Sequence, residues 1–266
     1  MVIWIEKRWN CSSEMLPGFD FKNNLIYKTM IKKSFISSIV ILLIITTSTL
    51  MAQNQKSSGS LKSQPVSLAS FKHVDIGNPS LAGTVKVSSN GIDINAGGTD
   101  IWGTKDEFNF VYVQRTGDFD LVTRIESLMA ANLYTKAGIM AREDLTADCR
   151  HIYFQVFSDN NPRNNNNGGY EFQYRQIKAG EMKAIYPKNS KGTPEFPVTY
   201  PNTWLRLQRT GNNFTGYYST DGKTWKEYTT YTLELPTKVY VGLAVTSHNT
   251  THTASAKFRN IEELKH

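Results

Sequence analysis

Three runs decide the fold: Lys136-Ala137-Gly138-Ile139-Met140-Ala141-Arg142, His151-Ile152-Tyr153-Phe154-Gln155-Val156 and Tyr170-Glu171-Phe172-Gln173-Tyr174-Arg175. Each alternates. Ala137, Ile139 and Ala141 share one side of the first run. Ile152, Phe154 and Val156 share one side of the second, and Tyr170, Phe172 and Tyr174 one side of the third. Between them stand Lys136, Arg142, His151, Tyr153, Gln155, Glu171, Gln173 and Arg175. Successive side chains of a strand point to opposite faces, so a period of two marks strands with one apolar side. A slip of one residue would bury every charge, which specifies the register.

The pattern extends upstream and downstream. Phe119, Leu121 and Ile125 oppose Asp120, Arg124 and Glu126. Phe108, Phe110 and Tyr112 oppose Val111 and Val113, as in a central strand covered on both sides. Strands are expected over 71–75, 83–88, 91–95, 107–115, 118–128, 135–143, 150–158, 169–178, 182–186, 203–210, 213–219, 225–231, 238–247 and 252–261. Asn90-Gly91 predicts a tight hairpin because both residues tolerate positive φ. Thr116-Gly117-Asp118, Gly211-Asn212 and Asp221-Gly222 reverse the chain in the same way. No segment keeps an apolar period of 3.6 over three turns, so the chain reads as an all-β sandwich or barrel.

The start reads differently. Met30-Ile31-Lys32-Lys33 is basic, Phe35 to Ile45 is apolar, and small and polar residues lead to Ala52. That order describes a secretory leader cut near Ala52, with a core too short for comfortable membrane spanning. Residues 30–52 are therefore expected to be a signal peptide, and 1–29 a spurious upstream extension. Residues 53–70, rich in Ser, Gln and Lys, are expected to be a flexible linker, and 71–266 a single domain. The protein is expected to be secreted or periplasmic, without stable membrane insertion, and a monomer.

Removing residues 1–52 takes away six Lys/Arg and three Asp/Glu, so a net charge of +7 falls to +4. Such mild basicity is no nucleic-acid footprint. One cysteine, Cys149, remains, so the core rather than an internal disulfide must hold the domain. No His/Cys/Asp cluster has zinc spacing, and no Gly-rich phosphate loop opens a helix. No metal, cofactor or catalytic residue is expected.

Several motifs, in order, carry a resemblance. They are Asp75-Ile76-Gly77 with Pro79, Asp100-Ile101-Trp102-Gly103 with Asp106-Glu107-Phe108, Thr116-Gly117-Asp118, and Lys136-Ala137-Gly138-Ile139-Met140 with Arg142-Glu143. Trp204-Leu205-Arg206-Leu207, Ser219-Thr220-Asp221-Gly222 with Trp225, and Gly242 to His248 complete the set. From His73 to Ile261 the chain resembles the family called domain of unknown function (DUF) 1349, within the concanavalin A-like lectin/glucanase superfamily. The resemblance implies a jelly-roll sandwich of two antiparallel sheets, one with a concave face, and a polysaccharide-related setting. Family members often carry Asp before the Asn of the last strand. Arg259 stands there in this chain and argues against a structural calcium.

Sugar binding needs flat rings for the apolar side of the sugar and planar polar groups for its hydroxyls. The expected ligand-binding residues are Arg124, Lys136, Arg142, Tyr153, Gln155, Gln173 and Arg175 on the polar face, with Trp102 and His248. The expected partner is an oligo- or polysaccharide, acidic polymers included. Two alternatives stand beside non-catalytic binding. One is a polysaccharide-active enzyme: a lyase using these cations with Tyr153, Lys136 or His151 as base, or a hydrolase, for which Glu126 and Glu171 could meet across strands. The other is a structural or protein-interaction domain.

Overall fold

The structure is a computed structural model that describes residues 62–163, 166, 168–186 and 193–265. The expected upstream extension, the expected leader and residues 53–61 of the expected linker lie outside the described residues.

In chain order the strands are β1 (Lys62–Pro65), β2 (Lys72–Ile76), β3 (Thr84–Ser88), β4 (Gly91–Gly98), β5 (Ile101–Trp102) and β6 (Lys105–Asp106). Next come β7 (Phe108–Thr116), β8 (Phe119–Met129), β9 (Lys136–Arg142), β10 (His151–Val156), β11 (Tyr170–Arg175) and β12 (Lys183–Ile185). The last are β13 (Thr203–Thr210), β14 (Asn213–Ser219), β15 (Lys226–Thr232), β16 (Lys238–Thr246) and β17 (Asn249–Lys265). One antiparallel sheet has the order β15-β14-β13-β8-β17-β4-β3, with β1 also paired to β17. The other has the order β12-β11-β10-β9-β16-β7-β2, and β5 and β6 form a separate small hairpin. Among the described residues no helix is long and apolar enough to cross a membrane.

The three deciding runs are β9, β10 and β11, and they lie side by side. Ala141 faces Ile152, which faces Tyr174, so the alternating apolar residues line up across the sheet. Ile139, Ile152, Phe154, Tyr170 and Phe172 meet Phe119, Leu121, Ile125, Leu205, Leu207, Phe214 and Phe258 of the other sheet in one buried core. Burying a side chain of this size stabilises the fold by about 1.5–3 kcal/mol. Phe154 lies within 6.0 Å, centroid to centroid, of the Tyr170, Phe172 and Tyr228 rings. Val111 and Val113 join that core, whereas Phe108 and Phe110 are buried on the opposite face of their strand.

Two features depart from the sequence reading. The expected linker contributes an edge strand, because Lys62–Pro65 pairs with Glu262–Lys265 of β17. Backbone pairing at a sheet edge needs no apolar side chains, so Ser/Gln/Lys composition hides it. In addition, β8 belongs to the sheet opposite β9, β10 and β11. Arg124 and Glu126 thus lie on a different sheet from the polar residues with which the sequence groups them.

Candidate functional site

The face of the β9–β10–β11 sheet turned away from the main core carries the polar set, but it is not an open groove. The β5–β6 hairpin packs over it. Ile101 joins Phe108, Phe110, Met140, Tyr153 and Ala244 in a second buried cluster, flanked by Leu145 and Ala147. Gly77 (φ 77°) and Gly98 (φ 117°) allow the close approach, since a Cβ would fall 2.0 Å from Asp106 O and from Glu107 O respectively. This accounts for the glycine of Asp75-Ile76-Gly77. Asp75 itself accepts from Asn109 Nδ2 at 2.8 Å and from the Gly83 N–H at 2.9 Å, a structural role.

Under this cover the expected ligand contacts become structural partners. Arg175 and Asp106 are fully buried and form a two-armed ion pair, Nη1–Oδ2 and Nη2–Oδ1, each 2.7 Å. Arg175 also donates to Gly180 O at 2.9 Å and to Gly103 O at 3.0 Å, tying two loops to the sheet. Arg142 is fully buried, donates from Nε to Asp144 O at 2.7 Å and also reaches Thr146 O. Its guanidinium lies 5.1 Å from the Phe108 ring centroid. Tyr153 is buried and donates to Ala244 O at 2.9 Å. His151 is buried with Nδ1 3.1 Å from Cys149 O and 3.6 Å from Asp106 Oδ2. Burial outweighs the pull of Asp106 and brings its pKa down to about 4. Burial also raises the Cys149 thiol.

The reason is electrostatic. A charge can leave water only if it is paired and hydrogen-bonded, and Asp106 and the loop carbonyls supply those partners. Four of the residues that the lyase reading used are removed from it by burial. Arg142, Arg175, His151 and Tyr153 cannot reach a polymer from these positions. Arg124, on the other sheet, donates to Asn260 Oδ1 at 3.1 Å and to Pro201 O at 2.9 Å. Its neighbour Glu126 lies 3.2 Å from Arg259 Nη2, which corrects the proposed meeting of Glu126 and Glu171. Arg259 also pairs with Asp93 at 2.7 Å, so a cation of the chain's own stands at that strand end.

One corner of this polar face stays open. Asp100, Trp102, Tyr134, Lys136, Phe157, Glu171, Gln173 and Tyr186 line a cleft of about 110 Å³. The strand ends of β9 and β11 place Lys136, Glu171 and Gln173 on its floor, and the β5–β6 hairpin holds Trp102 at its rim. Trp102 is 38% exposed, and Lys136 Nζ lies 5.4 Å from its ring centroid. The same ammonium pairs with Asp100 Oδ1 at 2.6 Å and donates to Ile101 O at 3.1 Å. His248 Nδ1 stands 3.2 Å from Asp100 Oδ2, with its ring 5.3 Å from that of Tyr134. Gln155, just behind the floor, donates from Nε2 to Glu171 Oε1 at 3.2 Å, and Gln173 Nε2 donates to the same oxygen.

The two carboxyl groups of the cleft are pushed apart. Burial raises Glu171 against the opposing pull of Lys136. Burial would raise Asp100 too, but Lys136 and His248 together outweigh it and hold its carboxyl low. Among the described residues no group of three or more His, Cys, Asp and Glu is gathered as a metal site.

The structure therefore brings Trp102, Lys136, Gln173 and His248 together, with Gln155 beside them, and separates Arg124, Arg142, Tyr153 and Arg175 from them. Asp100, Tyr134, Phe157 and Tyr186 went unrecognised as cleft residues. Asp100-Ile101-Trp102-Gly103 was the available signal, since Asp100 and Trp102 stand on either side of Lys136.

No family model matches the chain, and no curated protein matches it. Among solved structures, it is similar to a functionally unknown protein from Saccharomyces cerevisiae at 14% identity and a TM-score of 0.57, over 74% of this chain and 97% of that one. The fold is a jelly-roll sandwich of two antiparallel sheets. More distant likenesses include the carbohydrate-binding module CBM66 from Bacillus subtilis, at 15% identity and a TM-score of 0.47, over 74% of this chain and 96% of that one. Lectin I-B4 from Griffonia simplicifolia follows at 9% identity and a TM-score of 0.42, over 80% and 96%. At 14% identity the likeness to the yeast protein bears on the fold alone.

Proposed function

We propose that this jelly roll is a secreted carbohydrate-binding domain of the DUF1349 type, and that its sugar docks in the corner cleft against Trp102. One observation carries the reading: a partly exposed indole borders a small cleft whose floor is made of buried polar side chains, Lys136, Glu171 and Gln173. A ring face supported by a few fixed polar groups is what sugar recognition requires, and small-ligand sites in general follow that plan. The rest of the polar face serves to fasten the β5–β6 hairpin that carries Trp102. Secretion rests on the basic-apolar-small order of residues 30–52.

Affinity electrophoresis through gels containing neutral, uronic and sulfated polysaccharides tests the proposal. At least one polymer should retard the wild-type protein. Trp102→Ala should weaken that retardation by about 1–2 kcal/mol, roughly tenfold, with an unchanged melting temperature. No retardation by any polymer, or full retardation of Trp102→Ala, would refute the assignment.

A second reading has its own observation, the divergent carboxyl pair. Separated pKa values are how acid and base roles are divided. Glu171 would donate a proton to the leaving glycosidic oxygen as the C–O bond breaks, while the Asp100 carboxylate takes a proton from the water that bonds to the anomeric carbon. Release of reducing ends from a retarded polymer, abolished by Glu171→Gln, would establish hydrolysis; its absence leaves binding alone.

A further inference from the structure

The hydrogen-bonding sign of the cleft floor carries an inference that rests on the carbohydrate reading above. Gln155 and Gln173 both turn their amide nitrogens to Glu171 Oε1. With Glu171 Oε1 accepting, each amide presents its nitrogen to the carboxyl group. The two carbonyl oxygens are left over. Gln155 Oε1 and Gln173 Oε1 are buried and have no partner. Both side chains are fully buried, and Gln173 lines the cleft. A buried acceptor without a donor is costly, and a ligand that brings the donor removes the cost.

Charge points the same way. Among the described residues Lys136 is the one Lys or Arg lining the cleft, and its ammonium is already engaged by Asp100 and Ile101. Asp100 and Glu171 face the same small space. The arginines that made the sequence look suited to acidic polymers are buried in ion pairs and carbonyl bonds, or lie on the other sheet.

We infer that the cleft selects an uncharged sugar whose hydroxyl groups donate to Gln173 Oε1 and to the acidic floor, and that it rejects uronates. A uronate carboxylate would meet acceptors and like charge, with no free Lys or Arg among the described cleft residues to receive it. Sites that must leave a polar group unpaired reject the wrong ligand far more strongly than sites that merely lose a contact. The cleft's volume of about 110 Å³ suits part of a single ring rather than a long stretch of polymer, given that an apolar cavity of roughly 150 Å³ holds a benzene.

The test is calorimetric or gel-based binding of the purified protein to a neutral glucan, a mannan and a galactan, to alginate and polygalacturonate, and to polyglucosamine, all at one ionic strength. At least one neutral polymer should bind at least tenfold more tightly than either uronate polymer. Gln173→Met removes the orphan acceptor without adding charge and should weaken neutral binding about tenfold. Glu171→Gln, close in shape, should narrow the gap between neutral and uronic polymers. Thermal melts of both variants confirm that they are folded. Uronate binding equal to or tighter than neutral binding overturns the inference while leaving the carbohydrate reading intact. Preference for polyglucosamine overturns it as well, by showing recognition of positive charge. Binding to nothing overturns both.

Discussion

Replacing Arg175 by Met would separate the two roles this residue could play. Arg175 and Asp106 are both fully buried, and their two contacts are 2.7 Å each. Methionine retains most of the aliphatic stem but leaves the Asp106 carboxylate without its counter-charge. It also strips donors from Gly103 O and Gly180 O. Breaking a buried pair from one side costs about 3–5 kcal/mol. In a domain of roughly two hundred residues each kcal/mol lowers the melting temperature by about 2–4 °C, so a fall of about 6–20 °C is expected. The double variant Asp106→Leu, Arg175→Met leaves no orphaned charge. Its loss should be smaller than the sum of the two single losses by about 1–3 kcal/mol. Calorimetry and urea unfolding of the wild type, both single variants and the double variant give the full cycle. A Tm for Arg175→Met within about 2 °C of wild type, or strictly additive losses, would refute the structural reading. Loss of sugar binding with undiminished stability would restore Arg175 as a ligand contact.

Three further outcomes follow from the same buried layer and its opening. Arg142→Ala should destabilise by about 2–3 kcal/mol, because the carbonyls of Asp144 and Thr146 lose their donor and Phe108 its cation; thermal melts check it, and an unchanged Tm contradicts it. His151 has its folded pKa depressed from 6.5 to about 4, so the unfolded chain binds the extra proton first as pH falls. The stability tied to neutral His151 is complete above about pH 6.5 and is lost toward pH 4, on the order of 3 kcal/mol. His151→Gln should flatten the decline of Tm between pH 7 and 4, and an identical slope would exclude His151 as its source. Trp102→Ala, partly exposed, should lose binding but not stability.

Much of the fold is legible in residue order. Alternation in β9, β10 and β11 predicts which side chains enter the core, and β13 and β14 match their expected limits. Alternation reports only that a strand has two unlike faces. It does not say what covers the second one. Phe108 and Phe110 hinted at a cover, yet the cover itself is a hairpin of two-residue strands, too short for any period to register. The partner of Arg175 is Asp106, 69 positions away, and that pairing exists only once the hairpin has folded over the sheet. Sheet membership escaped for a similar reason. A strand in either layer shows the same period of two, so nothing local separates β8 with Arg124 from β9 with Lys136.

Position in the chain gives β17 another significance. This strand, Asn249–Lys265, lies between β8 and β4 and receives β1 along its end. It is the last strand described, yet it sits in the interior of its sheet. A chain emerging from a ribosome N-terminus first therefore holds the β8 and β4 edges unjoined until β17 arrives. Contacts between segments far apart in sequence also form slowly. The sheet is in effect closed by β17, so vectorial synthesis delays its native pairing until that strand has been made. During that interval the exposed edges are the surfaces a chaperone would need to shield.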